Sequence, residues 1–269
     1  MIKKVYFCRM NRNKNILLTN DDGISAKGLL ALTEMLRPFG KITVVAPKDP
    51  QSGMSSAITI ATPLRLFELS KEEEITRYVC TGTPVDCVKI AMNQLFCDQK
   101  PDLLVSGINH GANASAAVIY SGTLGAAAEG ILYGIPSIGF SLSTPHNPHA
   151  DFSGCIHFGR QIIEQYFLYP PLPDVYLNIN VPDIPKDMIK GIRFTRQGKG
   201  SWINEFEKRT DPYGSPYYWL TGEFRNDEPD AADADHNLLH QGYVTIVPHQ
   251  LDTTHLDEVG RLSNHWNFF

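Results

Sequence analysis

A chain of 269 residues with 24 basic and 29 acidic side chains has a net charge of −5, which excludes the broad basic footprint a nucleic-acid polymer requires. Hydrophobic residues make up 42% of it and charged residues 20%, as in an ordinary globular protein. The five cysteines, Cys8, Cys80, Cys87, Cys97 and Cys155, show no Cys-x-x-Cys spacing, which weighs against a disulfide framework or zinc site and predicts reduced thiols in a cytoplasmic protein.

Residues 1–14 are basic but lack the apolar stretch of a signal peptide, and are expected to form a frayed or disordered extension. No apolar run is long enough to span a membrane. Asn15 to Thr19 reads as a buried parallel strand, and Asn20-Asp21-Asp22-Gly23 as the turn after it. Leu29, Leu30, Leu32, Met35 and Leu36 recur at helical spacing, Pro38-Phe39-Gly40 ends that helix, and Ile42 to Ala46 is the next strand. These form a βαβ unit with a right-handed crossover. Tyr78 to Thr81 continues as a strand, and Thr83-Pro84-Val85-Asp86 opens a helix with a hydroxyl N-cap and proline at N1. Leu103 to Ser106 is a strand, Thr123 to Tyr133 a helix of small residues, and Ser137 to Leu142 a strand. Phe152 to Phe167 is helical and Val175 to Val181 a strand. This alternation predicts an α/β fold: a Rossmann-like, doubly wound, mostly parallel sheet flanked by helices, with its core over about residues 15–195. Residues 196–236, rich in Gly, Pro, Tyr and acidic groups, are expected to form a projecting β-hairpin arm rather than a second core, leaving 15–269 as one domain.

Ligands of open α/β sheets bind beyond the carboxyl ends of the strands. Three polar turns lie at or near such ends: Asn20-Asp21-Asp22-Gly23, Gln51-Ser52-Gly53 and Ser106-Gly107-Ile108-Asn109. Two ionised carboxylates about 4 Å apart repel by roughly 4 kcal/mol at an effective dielectric of 20. A hard divalent cation would offset that repulsion for Asp21 and Asp22. From the pair alone, an acidic helix N-terminus favoured by the dipole remains open. Ser52 and Asn109 add neutral oxygens, though each is also a common turn residue. Together the four favour an oxygen cage that leaves the ion net positive towards a phosphate dianion.

Tyr120-Ser121-Gly122-Thr123 precedes the helix of small residues, whose N-terminal N–H groups suit an anion, the plainer alternative being a Ser/Thr cap. Asn113, four residues after Asn109, is a further polar candidate on that loop. Lys89 reads as a solvated helix-face charge. His110, beside Asn109, is the histidine of interest; His146 and His149 read as solvent-facing loop residues.

The blocks ILLTNDDGISAKGL, APKDPQSGMSS, TGTPVDCV, VSGINHGAN, VIYSGTLGAAAEG and LNINVP resemble, in order, the signature blocks of the SurE family of stationary-phase survival-protein nucleotidases. DPYGSPYYWLTGE, Asp235 and the run Gly242 to Pro248 resemble that family's hairpin and closing strand. The resemblance implies metal-dependent hydrolysis of nucleoside 5′-monophosphates, with side activity on 3′-nucleotides and short polyphosphate in some members. It implies one divalent cation per subunit, Mg2+ or Mn2+, on Asp21, Asp22, Ser52 and Asn109. It places further active-site residues at Asn20, Asn113, Ser121, Gly122 and Thr123. It also implies that the arm and the C-terminal tail pack against or swap with a second subunit, in a homodimer or homotetramer. The chain departs from the family pattern at Ser115 and Ala117, where a glycine and an aspartate are usual.

Attack by metal-activated water is the leading mechanism, with a partly free Asp taking the proton. A covalent aspartyl-phosphate usually needs two aspartates separated by one residue, whereas Asp21 and Asp22 are adjacent. A nucleotide-binding sensor without turnover is supported only by the missing Asp at position 117.

Overall fold

The computed structural model describes residues 14–144 and 149–268, and its first strand, β1 (Lys14–Thr19), runs inside a nine-stranded sheet. The expected N-terminal extension therefore falls on residues outside those described, except Lys14. That residue already belongs to β1, where it pairs with Gly40 and places its ammonium 2.9 Å from the Asp102 carboxylate.

After β1 come α1 (Lys27–Leu36), β2 (Gly40–Pro47), β3 (Leu66–Lys71), β4 (Ile75–Cys80), α2 (Pro84–Gln94) and β5 (Leu103–His110). Then follow α3 (Gly122–Leu132), β6 (Ser137–Ser143), α4 (Ser153–Leu168), β7 (Val175–Pro182) and β8 (Ile192–Phe194). The main sheet runs β3-β4-β2-β1-β5-β6-β7, then β13 (Val244–Gln250), then β8. Strands β4, β2, β1, β5, β6 and β7 pair in parallel, while β3 and β13 run antiparallel to their neighbours β4 and β7. This is the expected mostly parallel, doubly wound sheet. Strand order reverses between β1 and β5, the switch point at which such sheets bind ligands.

Alternation along β1 places Ile16 and Leu18 in one core cluster, with Leu29 and Leu32 of α1 and Ile163 of α4. Leu17 faces the other cluster, with Val88 and Ala91 of α2 and Ala126 of α3. A strand buried on both faces must be apolar at every position, hence the unbroken run Ile16-Leu17-Leu18. Helix α1 can approach β5 because Gly28 lacks a side chain: a Cβ there would sit 2.0 Å from the Ile108 carbonyl oxygen. The expected start of α2 is present as a capping box. Asp86 N–H donates to Thr83 Oγ1 at 3.1 Å and Thr83 N–H to Asp86 Oδ2 at 2.9 Å, a device that stabilises a helix end by about 1 kcal/mol.

The arm is a hairpin in two parts. Strands β9 (Gly200–Ile203) and β12 (Glu223–Asn226) pair at its base, and β10 (Phe206–Thr210) and β11 (Pro216–Leu220) pair towards its tip. A short helix α5 (Asp235–His240) leads into β13, and α6 (Leu256–His265) follows. Lys89 differs from expectation: its ammonium lies 2.6 Å from Glu129, a buried carboxylate on α3 that would otherwise be unpaired between the two helices. Among the described residues, no helix is long and apolar enough to cross a membrane.

Candidate active site

The chain leaves β1 into the turn Asn20-Asp21-Asp22-Gly23. Asn20 Nδ2 donates to the Gly23 carbonyl at 3.0 Å, and Gly23 takes φ +97°, so the turn is closed from within. Gln51 N–H donates to the Asp21 carbonyl at 2.7 Å, which joins the loop after β2, and with it Ser52, to this turn.

The Asp21 carboxylate is only 4% exposed, and Thr123 Oγ1 donates to its Oδ1 at 2.7 Å. Burial is the main cause lifting its pKa from 3.8 to about 6; the Thr123 hydrogen bond opposes the rise and the neighbouring Asp22 charge adds to it. Gly122 leaves room for this contact, since a Cβ there would lie 3.1 Å from Asp21 Cβ. Asp22 is less buried, and its Oδ2 accepts from His110 N–H at 3.3 Å, linking the ends of β1 and β5. Asn109 Nδ2 donates to the Gly111 carbonyl at 2.8 Å, which leaves the amide oxygen for a ligand.

Asn113 is buried and held on all sides. Its N–H donates to Asn180 Oδ1 at 2.8 Å, its Nδ2 donates to Ser141 Oγ at 2.9 Å, and its carbonyl accepts from Asn178 Nδ2 at 2.7 Å. Asn178 and Asn180 both come from β7, two residues apart and so on one face. Ser121 caps α3, accepting from Leu124 N–H at 3.1 Å.

A cavity of about 500 Å3 is lined by several of these residues, with Asp22 and Thr123 lying behind the lining, a size within the roughly 300–1,000 Å3 of small-molecule sites. Asp21, Ser52, Asn109, His110, Asn113 and Ser121 line its polar side. Trp202, Glu205, Leu220, Thr221 and Gly222 from the arm also line it. Gly53, Ala117 and Tyr120 complete the lining.

Two expected roles change. The Thr123 side chain is fully buried with its hydroxyl committed to Asp21, so it positions a carboxylate instead of contacting phosphate through that hydroxyl. Asn20 is also fully buried and lies behind the cavity lining, where its amide closes the turn on the Gly23 carbonyl. His149 is exposed and lies apart from the lining, and His146 falls outside the described residues. The arm wall was missed because aromatic density there reads equally as an oligomer contact. Asn178 and Asn180 carried a usable signal, two amides at alternate positions of an otherwise apolar strand.

Ser115 adopts φ +54°, a left-handed conformation that favours glycine. Its Oγ donates to the Gly198 carbonyl at 2.9 Å and its N–H to Asp235 Oδ2 at 3.0 Å, contacts that hold the serine there. Ala117 contributes no polar atom to the cavity.

A hard divalent cation fits this donor set. Two adjacent carboxylates, one nearly dry, need positive charge, and Asn20 Oδ1, one residue before them, is a buried acceptor with no hydrogen-bond partner among the described residues. Among the described residues, no three His, Cys, Asp or Glu side chains cluster, so the available ligands are carboxylates with neutral oxygens.

The fold and the crevice define an open α/β protein with an acidic, oxygen-lined ligand site at the switch point of its sheet. A family model described as Survival protein SurE matches residues 16–204. The chain is 47% identical over 252 residues to the 5′-nucleotidase SurE of Phocaeicola vulgatus, covering 94% of this chain and 96% of the relative. It is 48% identical over 240 residues to the protein of that name from Flavobacterium johnsoniae, covering 89% and 92%. The crystal structure of the SurE protein from Aquifex aeolicus superposes with a TM-score of 0.80 at 34% identity, over 93% of this chain and 98% of that one. The chain belongs to the SurE family.

Proposed function

We propose that this protein is a divalent-metal-dependent 5′-nucleotidase that hydrolyses nucleoside 5′-monophosphates to nucleoside and phosphate. The observation that carries this reading is the single cavity shared by the buried carboxylate and the Ser121-capped N-terminus of α3. Relatives at 42–48% identity bearing the name 5′-nucleotidase support it.

Asp21, Asp22, Ser52 and Asn109 would hold one Mg2+ or Mn2+ per subunit. Such an ion supplies Lewis-acid charge against the phosphate and acidifies water. Thr123 aims the Asp21 carboxylate through its hydrogen bond. Ser121 and the N–H groups at the start of α3 bind phosphate oxygens. Asn113, fixed by Asn178 and Asn180, presents its edge to the same group, and His110 borders the leaving nucleoside. Asp22, the less buried carboxylate, takes the proton from the attacking water. Asp21 makes a poor covalent nucleophile, being buried with one oxygen held by Thr123.

We place the enzyme in the cytoplasm, where its free thiols Cys80, Cys87, Cys97 and Cys155 stay reduced. Exposed Phe206, Tyr213, Tyr218, Trp219 and Leu220 along the outer part of the arm support assembly into a homodimer or homotetramer. The test is phosphate release from AMP, GMP and UMP after chelation, with and without added Mg2+ or Mn2+. Release only with added ion is expected; none with any divalent ion would overturn the reading.

A further inference from the structure

The cavity has two unlike sides, and a nucleoside monophosphate has two unlike ends, an anionic group and a flat aromatic base separated by a ribose. Building on the nucleotidase reading, we infer that the base of the arm forms the nucleobase subsite, with Trp202 as stacking platform and Glu205 as hydrogen-bond acceptor. Tyr120 and His110 also line the cavity, but each is chained directly to a residue of the polar end, Ser121 and Asn109. The base, one ribose away from the phosphate, is left to the arm residues, which line the same cavity from a separate element and include the Trp202 ring.

Trp202 is built as a platform. It pairs across the ribbon with Phe224, whose ring meets it edge-on at 5.9 Å between centroids. Gly222, at φ +67°, passes under the indole, and a Cβ there would lie 3.4 Å from Trp202 Cε3. The ring is thus supported by its neighbours yet remains 37% exposed.

Glu205 follows in the link between β9 and β10, where its carbonyl accepts from Thr221 N–H at 2.8 Å and bolts it across the arm. Its carboxylate has no hydrogen-bond or ion-pair partner among the described residues. A carboxylate facing a phosphate-binding cavity repels the substrate unless it accepts hydrogen bonds from it. Guanine offers adjacent N1–H and N2–H donors, which suit a carboxylate in a two-pronged contact. Adenine offers one amino group, and uracil an N–H flanked by two carbonyls. The wall therefore selects purines, guanine first.

The test compares wild type, Trp202→Ala, Trp202→Phe and Glu205→Gln on GMP, AMP, UMP and the base-free ester ribose 5-phosphate, all with Mn2+. Trp202→Ala should lower kcat/KM for GMP about tenfold or more, through KM, as loss of base stacking does. It should leave ribose 5-phosphate unchanged, and Trp202→Phe should restore most of the loss. Glu205→Gln should lower the GMP-to-UMP ratio of kcat/KM about tenfold, the scale of one lost two-pronged contact. An equal loss on ribose 5-phosphate, no loss on GMP, or an unchanged GMP-to-UMP ratio would overturn the subsite. A wild-type enzyme inactive on every ester would instead overturn the nucleotidase reading beneath it.

Discussion

As a ligand of the proposed ion, Asp21 would be kept at the expense of the metal-free fold, and Asp21→Asn makes this measurable. Its carboxyl titrates near 6 in the folded chain against 3.8 as the ordinary value. The difference is about two units, or about 3 kcal/mol at 1.36 kcal/mol per unit. The residue is almost wholly buried, so solvent screening does not reduce that figure much. A raised folded pKa favours the folded state below the unfolded value, and that advantage is lost as pH rises through the folded one. Metal-free wild type should therefore lose stability between about pH 4 and pH 6, and stay at the lower level above. Asparagine keeps the shape and still accepts from Thr123, yet has no charge to bury. At pH 8 with chelator, Asp21→Asn should exceed wild type by about 3 kcal/mol, on the order of 6–12 °C in Tm. The gap should close towards pH 4. Millimolar Mn2+ should raise the Tm of wild type far more than that of the variant, and the variant should have lost most activity. Thermal melts across pH 4–8, with and without ion, check this. An Asp21→Asn protein no more stable than metal-free wild type at pH 8 would refute the reasoning, as would equal stabilisation of both by Mn2+.

Thr123→Ala removes a buried hydrogen bond to a charged group, a contact of about 1.5–3 kcal/mol. Calorimetric titration should show Mn2+ affinity reduced about tenfold or more. Ser121→Ala should raise KM or lower kcat in steady-state assays, with Mn2+ affinity unchanged. Loss of its cap on α3 should also lower Tm by a few degrees, about 1 kcal/mol. Asn180→Ala strands the Asn113 N–H in the core, so chemical denaturation should register about 1–3 kcal/mol. Its kcat should fall while Mn2+ binding persists. Replacing Tyr213, Tyr218 and Trp219 with serine should reduce the mass found by light scattering; a wild type already monomeric at micromolar concentration would refute the assembly.

The legible parts of the chain are those where local chemistry and tertiary position coincide. Ile16-Leu17-Leu18 had to be an interior strand because it is apolar on both faces. The Thr83 to Asp86 box is complete within four residues. Strand β3 was missed because it is an edge strand with Phe67 and Leu69 largely exposed, and a register shift between Glu68 and Ser70 breaks its alternation. Helix α6 was missed because none of its residues is buried, so its pattern points to no core. At the site, residue type was readable and direction was not. Thr123 and Ser121 look alike as hydroxyls opening a helix, and only the folded chain turns one down onto Asp21 and the other into the cavity. The arm wall depends on contacts far along the chain, which spacing cannot reveal.

The two sides of the cavity also differ in what holds them still. Asp21, Asp22, Asn109 and Ser121 stand at the ends of β1, β5 and α3, whose positions the core determines. The arm's part of the lining stands on a two-stranded ribbon, a form only marginally stable alone in water. What secures it is the fully buried Asp235, which accepts backbone N–H groups from Ser115, Gly198 and His236 at 3.0, 2.9 and 2.7 Å. One carboxylate thus clamps the loop that leads to Ser121 onto the strand connection that leads to Trp202. Glycine at position 115 would satisfy the backbone conformation but lose the second clasp, the Ser115 hydroxyl on the Gly198 carbonyl. Serine at this position therefore tightens the joint between the loop that leads to Ser121 and the strand connection that leads to Trp202, the two sides to which phosphate and base are assigned in the proposed reading.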